Sequence, residues 1–263
     1  MVESQLLRKA QMKMIEILKV IDIICIKHNI KWWLHYGTAL GAVRHNGFIP
    51  WDDDCDIAMM RTDYERFIKV VEKELPENMF FQTRESDPYY PRKIAKIRMK
   101  NTKLVEFDEN ENEKYHQGIF VDIFVQDYYP QSHKKFLKLW NKVLSMKYRR
   151  KQYSKGSWQR MAIQVGIVIP YLFYSIVMKS YKVVSVMFRK NVDLYYIGNE
   201  INLYDNKFLK KEWIFPLQRS VEFEGQYFPM PNNWDSYLKE HYGDYMKLPP
   251  VEQRYIHAKN IEC

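Results

Sequence analysis

The sequence has 263 residues, 46% of them hydrophobic, which suits one large domain or two small ones and excludes a disordered chain. Its three cysteines, Cys25, Cys55 and Cys263, lie far apart, which excludes a cysteine zinc site and argues against disulfide bonds. The net charge of +9 is uneven, because residues 131–192 hold fourteen of the 41 basic residues and none of the 32 acidic ones, leaving the remainder at −5.

The first predicted element is a helix over residues 4–28. Apolar side chains recur there at helical spacing, with lysines and glutamates between them, and Asn29 is expected to end the helix. We expect this helix to pack against a sheet. The residues before it are polar, so no signal peptide is predicted.

A strand–turn–helix sequence follows. Trp32–Tyr36 predicts a strand, Gly37–Thr38 a turn, and Ala39–Arg44 a short helix. Backbone amides at such a junction can hold a phosphate group. The Gly-Thr pair is a weak signal alone, and it becomes stronger because an Asp-rich stretch follows within about twenty residues.

The acidic stretch, residues 52–60, predicts a strand that runs into apolar residues. Side chains alternate along a strand, so Asp52, Asp54 and Asp56 would share one face, with Asp53 on the other. Neighbouring carboxylates stay ionised only beside a cation, or one takes a proton. Oxygen ligands of this kind favour magnesium, manganese or calcium. A solvated acidic turn is the alternative interpretation.

Downstream, the sequence predicts a helix over residues 61–76, capped by Thr62 or Asp63, and strands over residues 80–82 and 94–98.

Two of the predicted strands carry charged side chains. Lys96 and Arg98 share a face of strand 94–98 and would neutralise phosphates if that face looks into a site; a solvated face is the alternative. Asp122 lies within an apolar strand over residues 118–124, where a lone carboxylate is costly without a partner. An ion pair with a lysine or arginine would be one such partner.

Four stretches together resemble a known family. Gly37–His45 and Gly47–Asp56 are similar to the signature of LicD-type phosphotransferases, and the similarity continues in Gly118–Phe124 and Tyr242–Pro250. That group includes bacterial phosphorylcholine transferases, with fukutin and the fukutin-related protein as relatives. The resemblance implies an α+β fold with a polymerase-β-like nucleotidyltransferase core, a mixed sheet with packed helices.

The resemblance and the charge distribution predict three parts of the chain. Residues 1–130 would form the catalytic core, residues 131–192 a basic and apolar helical insert, and residues 193–263 would complete the catalytic domain. The apolar part of the insert, residues 161–178, is at the lower limit of what crosses a bilayer. We expect it to contact an anionic membrane surface, while packing on the core or in a dimer is the alternative. Nucleic acid is disfavoured, since no recognisable binding motif is present.

The C-terminal part predicts three elements, namely a hairpin over residues 220–229, a helix over residues 234–241, and an irregular loop over residues 242–250. Arg254 and His257, three positions apart, would share one face of a helix.

Site residues follow from the resemblance. Superfamily analogy makes Asp122 the third carboxylate beside Asp54 and Asp56 at an Mg²⁺ (or Mn²⁺) ion, or else the base that takes the proton from the acceptor hydroxyl; Asp52 would be a supporting ligand or the base. Donor binding is predicted for Gly37, Thr38, Arg44, Lys96 and Arg98. Further phosphate or acceptor contacts are predicted for His45, Trp51, Arg254 and His257.

The implied activity is metal-dependent transfer of a phospho-alcohol from a CDP-alcohol donor to a hydroxyl of a cell-surface glycan precursor, with release of CMP. CDP-choline is the first candidate donor, and CDP-ribitol and CDP-glycerol remain open. The acceptor could be lipid-linked and belong to teichoic acid, lipopolysaccharide or capsule, at the cytoplasmic face of a bacterial membrane. The alternatives are a nucleotidyltransferase that transfers NMP and releases pyrophosphate, and a non-catalytic membrane- or glycan-binding protein with a vestigial site.

Overall fold

The computed structural model describes residues 4–92, 94–130, 195–199 and 209–263. The chain divides into two compact units, one made of Met1–Asp127 with Glu212–Cys263, the other of Tyr128–Lys211. The predicted insert, residues 131–192, lies outside the described residues, and so do its apolar and basic segments. Within the described part of the chain, no helix is both long and apolar enough to span a bilayer.

The described part of the chain mixes helices and strands, as predicted. The helices are α1 (Ser4–Lys27), α2 (Tyr36–His45), α3 (Arg61–Phe67), α4 (Val71–Glu74), α5 (Lys211–Ile214) and α6 (Trp234–Tyr242). The strands are β1 (Trp33–Leu34), β2 (Asp56–Met60), β3 (Met79–Gln82), β4 (Ala95–Met99), β5 (Lys103–Glu106), β6 (Phe120–Pro130), β7 (Tyr195–Asn199), β8 (Leu209–Lys210) and β9 (Ala258–Glu262).

The first unit is built on a mixed sheet with strand order β1-β2-β6-β4-β3. β2 and β6 run parallel, whereas the pairs β1–β2, β4–β6 and β3–β4 are antiparallel. A mixed sheet with helices confirms the α+β class. β5 and β9 form a separate antiparallel pair in this unit, and β7 pairs antiparallel with β8 in the second.

The predicted first helix is confirmed as α1, which buries one apolar stripe and contacts β4 and β9. The chain leaves the helix through Asn29, which has a positive φ of 52°, a conformation that asparagine tolerates better than most residues. Among the members of the stripe are Leu7, Met14, Ile17, Leu18, Ile21, Ile24 and Cys25. Helical spacing was sufficient here because a single continuous face meets the core.

Two boundaries near the acidic stretch differ from the prediction. Gly37 and Thr38 do not form a turn but lie in the first turn of α2, which is closed by the Ala39 N–H donating to the His35 carbonyl at 3.0 Å. β2 begins at Asp56 rather than Asp52. The preceding residues are not a strand of the sheet, and the Asp53 carboxylate in their middle is bonded instead to the backbone of the C-terminal segment.

The predicted helix over residues 61–76 is divided into α3 and α4. The N–H groups of Lys69 and Val70 donate to carbonyls three residues earlier, which tightens the chain between the two helices. Neither predicted cap is used, since Met60 is the N-cap residue and makes no side-chain capping bond. Asp63 instead accepts a hydrogen bond from the Lys31 N–H at 3.1 Å.

The C-terminal predictions are mostly confirmed. The hairpin turn closes through paired backbone hydrogen bonds between Phe223 and Gln226, and α6 follows as predicted. The shared helical face of Arg254 and His257 is wrong. A 3₁₀ turn, Val251–Gln253, ends before Arg254, and His257 lies in a bend, where its carbonyl accepts from the Phe107 N–H at 2.9 Å.

Candidate functional site

Strand register brings two distant carboxylates side by side. β2 and β6 pair so that Asp56 lies beside Asp122, and β4 pairs with the other edge of β6 so that Lys96 lies opposite Asp122. Residues paired in register point to the same face of a sheet, so these three side chains meet on one face. Asp56 and Asp122 are both buried. The acidic stretch is therefore not a solvated turn.

Asp122 has an ion-pair partner. The Lys96 ammonium lies 2.9 Å from Asp122 Oδ1 and 3.4 Å from Glu106 Oε2, and it sits 3.2 Å from the ring centroid of Phe120. Lys96 is fully buried, so the alternative of a solvated strand face is wrong. The ion pair that the sequence left open for Asp122 is present, because a buried carboxylate needs such a partner.

Arg98 is buried with Lys96 but directs its bonds elsewhere. Its Nε donates to Gln82 Oε1 at 2.5 Å, and its Nη1 donates to the Gly118 carbonyl at 2.6 Å. These bonds fix the start of the segment that leads into β6. The structure thus places Arg98 in the support of β6, whereas Lys96 contacts a carboxylate of the acidic cluster.

Asp52 and Asp54 complete an acidic cluster, which we define as Asp52, Asp54, Asp56 and Asp122. The side chains of Asp52 and Asp54 are hydrogen-bonded to each other. Burial, with the negative charges of its neighbours, raises the pKa of Asp54 to about 6, and the same causes raise the pKa of Asp52 and Asp56 well above the usual range. Burial also raises the pKa of Asp122, although Lys96 opposes that effect. The cluster thus carries more negative charge than its surroundings neutralise.

The first turn of α2 touches the acidic cluster. Thr38 Oγ1 accepts a hydrogen bond from the Asp56 N–H at 2.8 Å, which ties the helix to the start of β2. A Cβ added to Gly37 would lie 2.9 Å from Asp52 Oδ2, so only glycine lets this carboxylate approach so closely. A negative charge at a helix N-terminus is favourable. The structure therefore places both residues against carboxylates.

Basic and aromatic side chains form one rim of the cluster. Arg44 donates to the Tyr245 carbonyl at 2.9 Å. Its guanidinium lies within electrostatic reach of Asp52 and of a second guanidinium, that of Arg254. Arg254 stacks over Trp51 at 4.7 Å, while the His45 ring meets Trp51 edge-on at 6.3 Å. The structure thus brings Arg44, His45, Trp51 and Arg254 together, although they come from opposite ends of the sequence.

His257 lies on the opposite side of the acidic stretch, bonded to Asp53. The Asp53 carboxylate accepts from the His257 backbone N–H at 3.1 Å and from the Ala258 N–H, and the His257 ring nitrogen Nδ1 lies 3.2 Å away. The hydrogen bond to Asp53 raises the pKa of His257. Sequence reasoning assigned Asp53 no role. The available signal was the alternation of side chains along the acidic stretch, which predicted that Asp53 points away from Asp52 and Asp54.

Sequence reasoning also missed a buried histidine beside the cluster. The His35 N–H donates to the Asp56 carbonyl at 2.9 Å, and its two ring nitrogens lie 2.6 Å from the Tyr237 hydroxyl and 3.1 Å from Gln126 Nε2. Burial lowers the pKa of His35 well below its usual value, so the imidazole is neutral near pH 7. Its partners lie about 90 and 200 residues away, so no local pattern marks it.

The donor set suits a hard divalent cation. Among the described residues, no three or more His, Cys, Asp and Glu side chains are already grouped as a ready metal site. The side chains instead bond each other and Lys96. Several carboxylates whose mutual repulsion a cation would relieve are nevertheless a donor set that would suit magnesium or manganese.

Comparison with known proteins shows which family this sequence is similar to. A family model described as "LicD/FKTN/FKRP, nucleotidyltransferase domain" matches residues 29–155, which include the whole acidic cluster and exclude Arg254 and His257. The lipopolysaccharide cholinephosphotransferase LicD of Haemophilus influenzae is 32% identical over 261 residues, 95% of each chain. An uncharacterized protein of Rickettsia typhi is 41% identical over 63 residues, which are 24% of this chain and 20% of that protein. An uncharacterized protein of Rickettsia prowazekii is 46% identical over 55 residues, which are 21% of each chain.

Proposed function

The chain belongs to the LicD family of phosphotransferases, and we propose that it transfers a phospho-alcohol from a CDP-alcohol to a hydroxyl of a cell-surface glycan precursor, releasing CMP. Phosphocholine is the first choice of group, because the relative that matches along 95% of its length is named a lipopolysaccharide cholinephosphotransferase. CDP-ribitol and CDP-glycerol are the competing donors. We further propose that the mixed sheet is a nucleotidyltransferase-type core.

The observation that carries the proposal is the acidic cluster on neighbouring strands. Phosphoryl transfer asks a protein mainly to position the reactants and to neutralise charge. We propose that Asp54, Asp56 and Asp122 hold Mg²⁺ or Mn²⁺, which when bound neutralises the donor pyrophosphate and the departing CMP. Lys96, paired with Asp122, adds a fixed positive charge on the same face of the sheet.

The remaining residues supply binding and proton transfer. Asp52 lies at the start of α2, hydrogen-bonded to Asp54, and its raised pKa suits a group that takes the proton from the acceptor hydroxyl. Arg44 and Arg254, close to one another on the rim, would bind the donor phosphates as charge-assisted hydrogen-bond donors. Gly37 and Thr38 hold the helix start in place against Asp52 and Asp56, which positions both carboxylates.

A donor screen tests the proposal. Purified protein with Mg²⁺ and a glycan acceptor is incubated separately with CDP-choline, CDP-ribitol, CDP-glycerol and CTP, and released CMP and pyrophosphate are measured. We expect CMP from CDP-choline and none after EDTA treatment. Release of CMP from another CDP-alcohol would identify that compound as the donor. Release of CMP that persists in EDTA would refute the proposed metal requirement.

Variants locate the reaction in the acidic cluster. Asp54→Asn and Asp56→Asn each remove a charge with little change in shape, and we expect losses of about 100-fold or more in kcat. Glu65→Gln is the matched control, because Glu65 is an exposed acid on α3. Wild-type turnover by the two cluster variants, with unfolding temperatures equal to that of the control, would refute the assignment.

The description of the matching family model as a nucleotidyltransferase domain favours one second candidate. An enzyme of that type would attach NMP and release pyrophosphate from CTP. The same screen separates the two activities, since pyrophosphate from CTP without CMP from any CDP-alcohol would select the nucleotidyltransferase.

We also propose that the protein works as a peripheral protein at the cytoplasmic face of a bacterial membrane, on a lipid-linked acceptor. The support is the sequence of residues 131–192, with fourteen basic and no acidic residues beside long apolar runs. Binding to liposomes that contain anionic lipid should weaken as salt rises. Equal binding to neutral and anionic liposomes, or none at low salt, would refute it.

A further inference from the structure

A group of aromatic rings adjoins the acidic cluster on the same face of the sheet. We call it the aromatic cluster and define it by the residues His35, Tyr36, Phe124, Tyr237, His241 and Tyr242. Phe124 follows Asp122 by two positions on β6, so both point to one face, about 7 Å apart along the strand. His35 is hydrogen-bonded to the backbone of Asp56. The aromatic cluster is thus directly adjacent to the acidic cluster.

The rings stand at steep angles to one another. The Tyr36 ring is nearly perpendicular to Phe124, at 89° and 5.2 Å between centroids, and to His241, at 83° and 5.0 Å. Such an arrangement presents ring faces and edges from several directions. Tyr36 also has a positive φ of 38°, a conformation that a bulky residue rarely adopts and that is concentrated at functional sites.

Two members of the aromatic cluster reach solvent. Tyr242 is 42% exposed and Tyr36 is partly exposed, whereas the other four are buried. The Tyr242 ring lies 6.0 Å from that of His241, which in turn meets Tyr36, and its phenol is within electrostatic reach of Asp52, Asp54 and Asp56. An incoming molecule would therefore meet these two rings next to the carboxylates.

We propose that the aromatic cluster, through Tyr36 and Tyr242, receives the quaternary ammonium end of the donor. The inference rests on the proposed function and names the chemical class of its alcohol. A cation without N–H groups is bound by ring faces rather than by hydrogen bonds, and nearby carboxylates add attraction.

Hydrogen bonding favours a cation over a polyol. The two ring nitrogens of His35 already face Tyr237 and Gln126, so they are committed within the protein. A ribitol or glycerol chain needs partners for several hydroxyl groups, because unpaired hydroxyls lose free energy on burial.

Binding measurements on matched variants test the proposal. Dissociation constants for CDP-choline and for CMP are measured by calorimetry with Mg²⁺ for the wild type and for Tyr242→Leu, Tyr242→Phe, Tyr36→Leu and Tyr36→Phe. Each leucine variant should weaken CDP-choline by about 2- to 30-fold, the range expected for one lost cation–π contact, and leave CMP unchanged. Each phenylalanine variant keeps the ring and should stay within about threefold of wild type for both ligands.

The outcomes separate this inference from the proposed function. If CMP is released from CDP-choline but the leucine variants weaken CDP-choline and CMP equally, or weaken neither, the aromatic cluster does not bind the ammonium and the function stands. If the wild type uses only CDP-ribitol or CDP-glycerol, the donor choice and this inference both fall. Unchanged CMP affinity in the same variants shows that each is folded.

Discussion

Replacing Asp53 by asparagine tests how the acidic stretch is fixed to the C-terminal strand. Asp53 is 2% exposed, and its carboxylate accepts hydrogen bonds from the backbone N–H groups of His257 and Ala258 and from the His257 ring. These bonds join residues about 200 positions apart. They hold the stretch that carries Asp52 and Asp54 against the start of β9.

The structure gives the size of the effect. Hydrogen bonds to a charged group contribute about 1.5–3 kcal/mol each, and a buried group left unpaired costs a similar amount. In Asp53→Asn one carboxylate oxygen becomes an amide donor that faces a backbone N–H, so at least one bond is lost and one repulsive contact forms. We expect a loss of about 2–4 kcal/mol in the free energy of unfolding and a Tm lower by about 5–15 °C.

The assay is urea and thermal unfolding at neutral pH, with His257→Ala as the matched control. That change removes only the ring contact of a side chain that is 53% exposed and keeps the backbone N–H, so it should cost less than about 1 kcal/mol. A Tm for Asp53→Asn within about 2 °C of wild type would refute the reasoning. So would an equal loss in His257→Ala, because the ring alone would then account for the contact.

Three further predictions follow from packing and charge. In Gly41→Ala the new Cβ would lie 2.5 Å from the Gly47 carbonyl oxygen, so urea unfolding should show a loss of about 1–3 kcal/mol; an unchanged midpoint would contradict it. The hydrogen bond from Arg8 lowers the pKa of Glu224, so the stability that this carboxylate contributes is present above its unfolded pKa, about 4.3, and lost as the pH falls through the lower folded value. Glu224→Gln should therefore be less stable than wild type at pH 7 and match it in acid, measured by urea unfolding at several pH values. Lys96→Met leaves the buried Asp122 without its ammonium, while the half-buried Glu106 keeps Arg92, so the change should cost about 3–5 kcal/mol in unfolding free energy; a neutral result would mean that the Lys96–Asp122 pair is not buried in solution.

Sequence reasoning succeeded where one local period determines the structure. The apolar stripe of α1 recurs at helical spacing over 24 residues, so both its existence and its buried face were predictable. In the same way, the alternation of side chains along a strand predicted that Asp53 points away from Asp52 and Asp54. The bounds of β2 were less predictable, because they depend on which residues of the acidic stretch find a partner strand and which bond the C-terminal segment.

Long-range contacts explain what the sequence did not reveal. β9 reads Ala-Lys-Asn-Ile-Glu, with little β-branched or aromatic character, and it is a strand because β5 pairs with it and Asp53 holds its first residue. The aromatic cluster draws on the N-cap and first residue of α2, on β6 and on α6, so its rings meet only after the sheet has formed. The stacking of Arg254 on Trp51 is likewise a long-range contact, whereas helical spacing predicted that Arg254 shares a helix face with His257.

The same strand register explains both the fold and the chemistry of the site. Carboxylates on neighbouring strands repel each other, and a buried sheet would not tolerate them alone. β4 supplies a buried ammonium in register with Asp122, so part of the repulsion is offset within the sheet itself. The rest is expressed as raised pKa values at Asp52 and Asp54, which precede β2, and at Asp56, which is its first residue. Lys96 thus helps the two strands to pair, and the repulsion that remains is what a divalent cation would relieve.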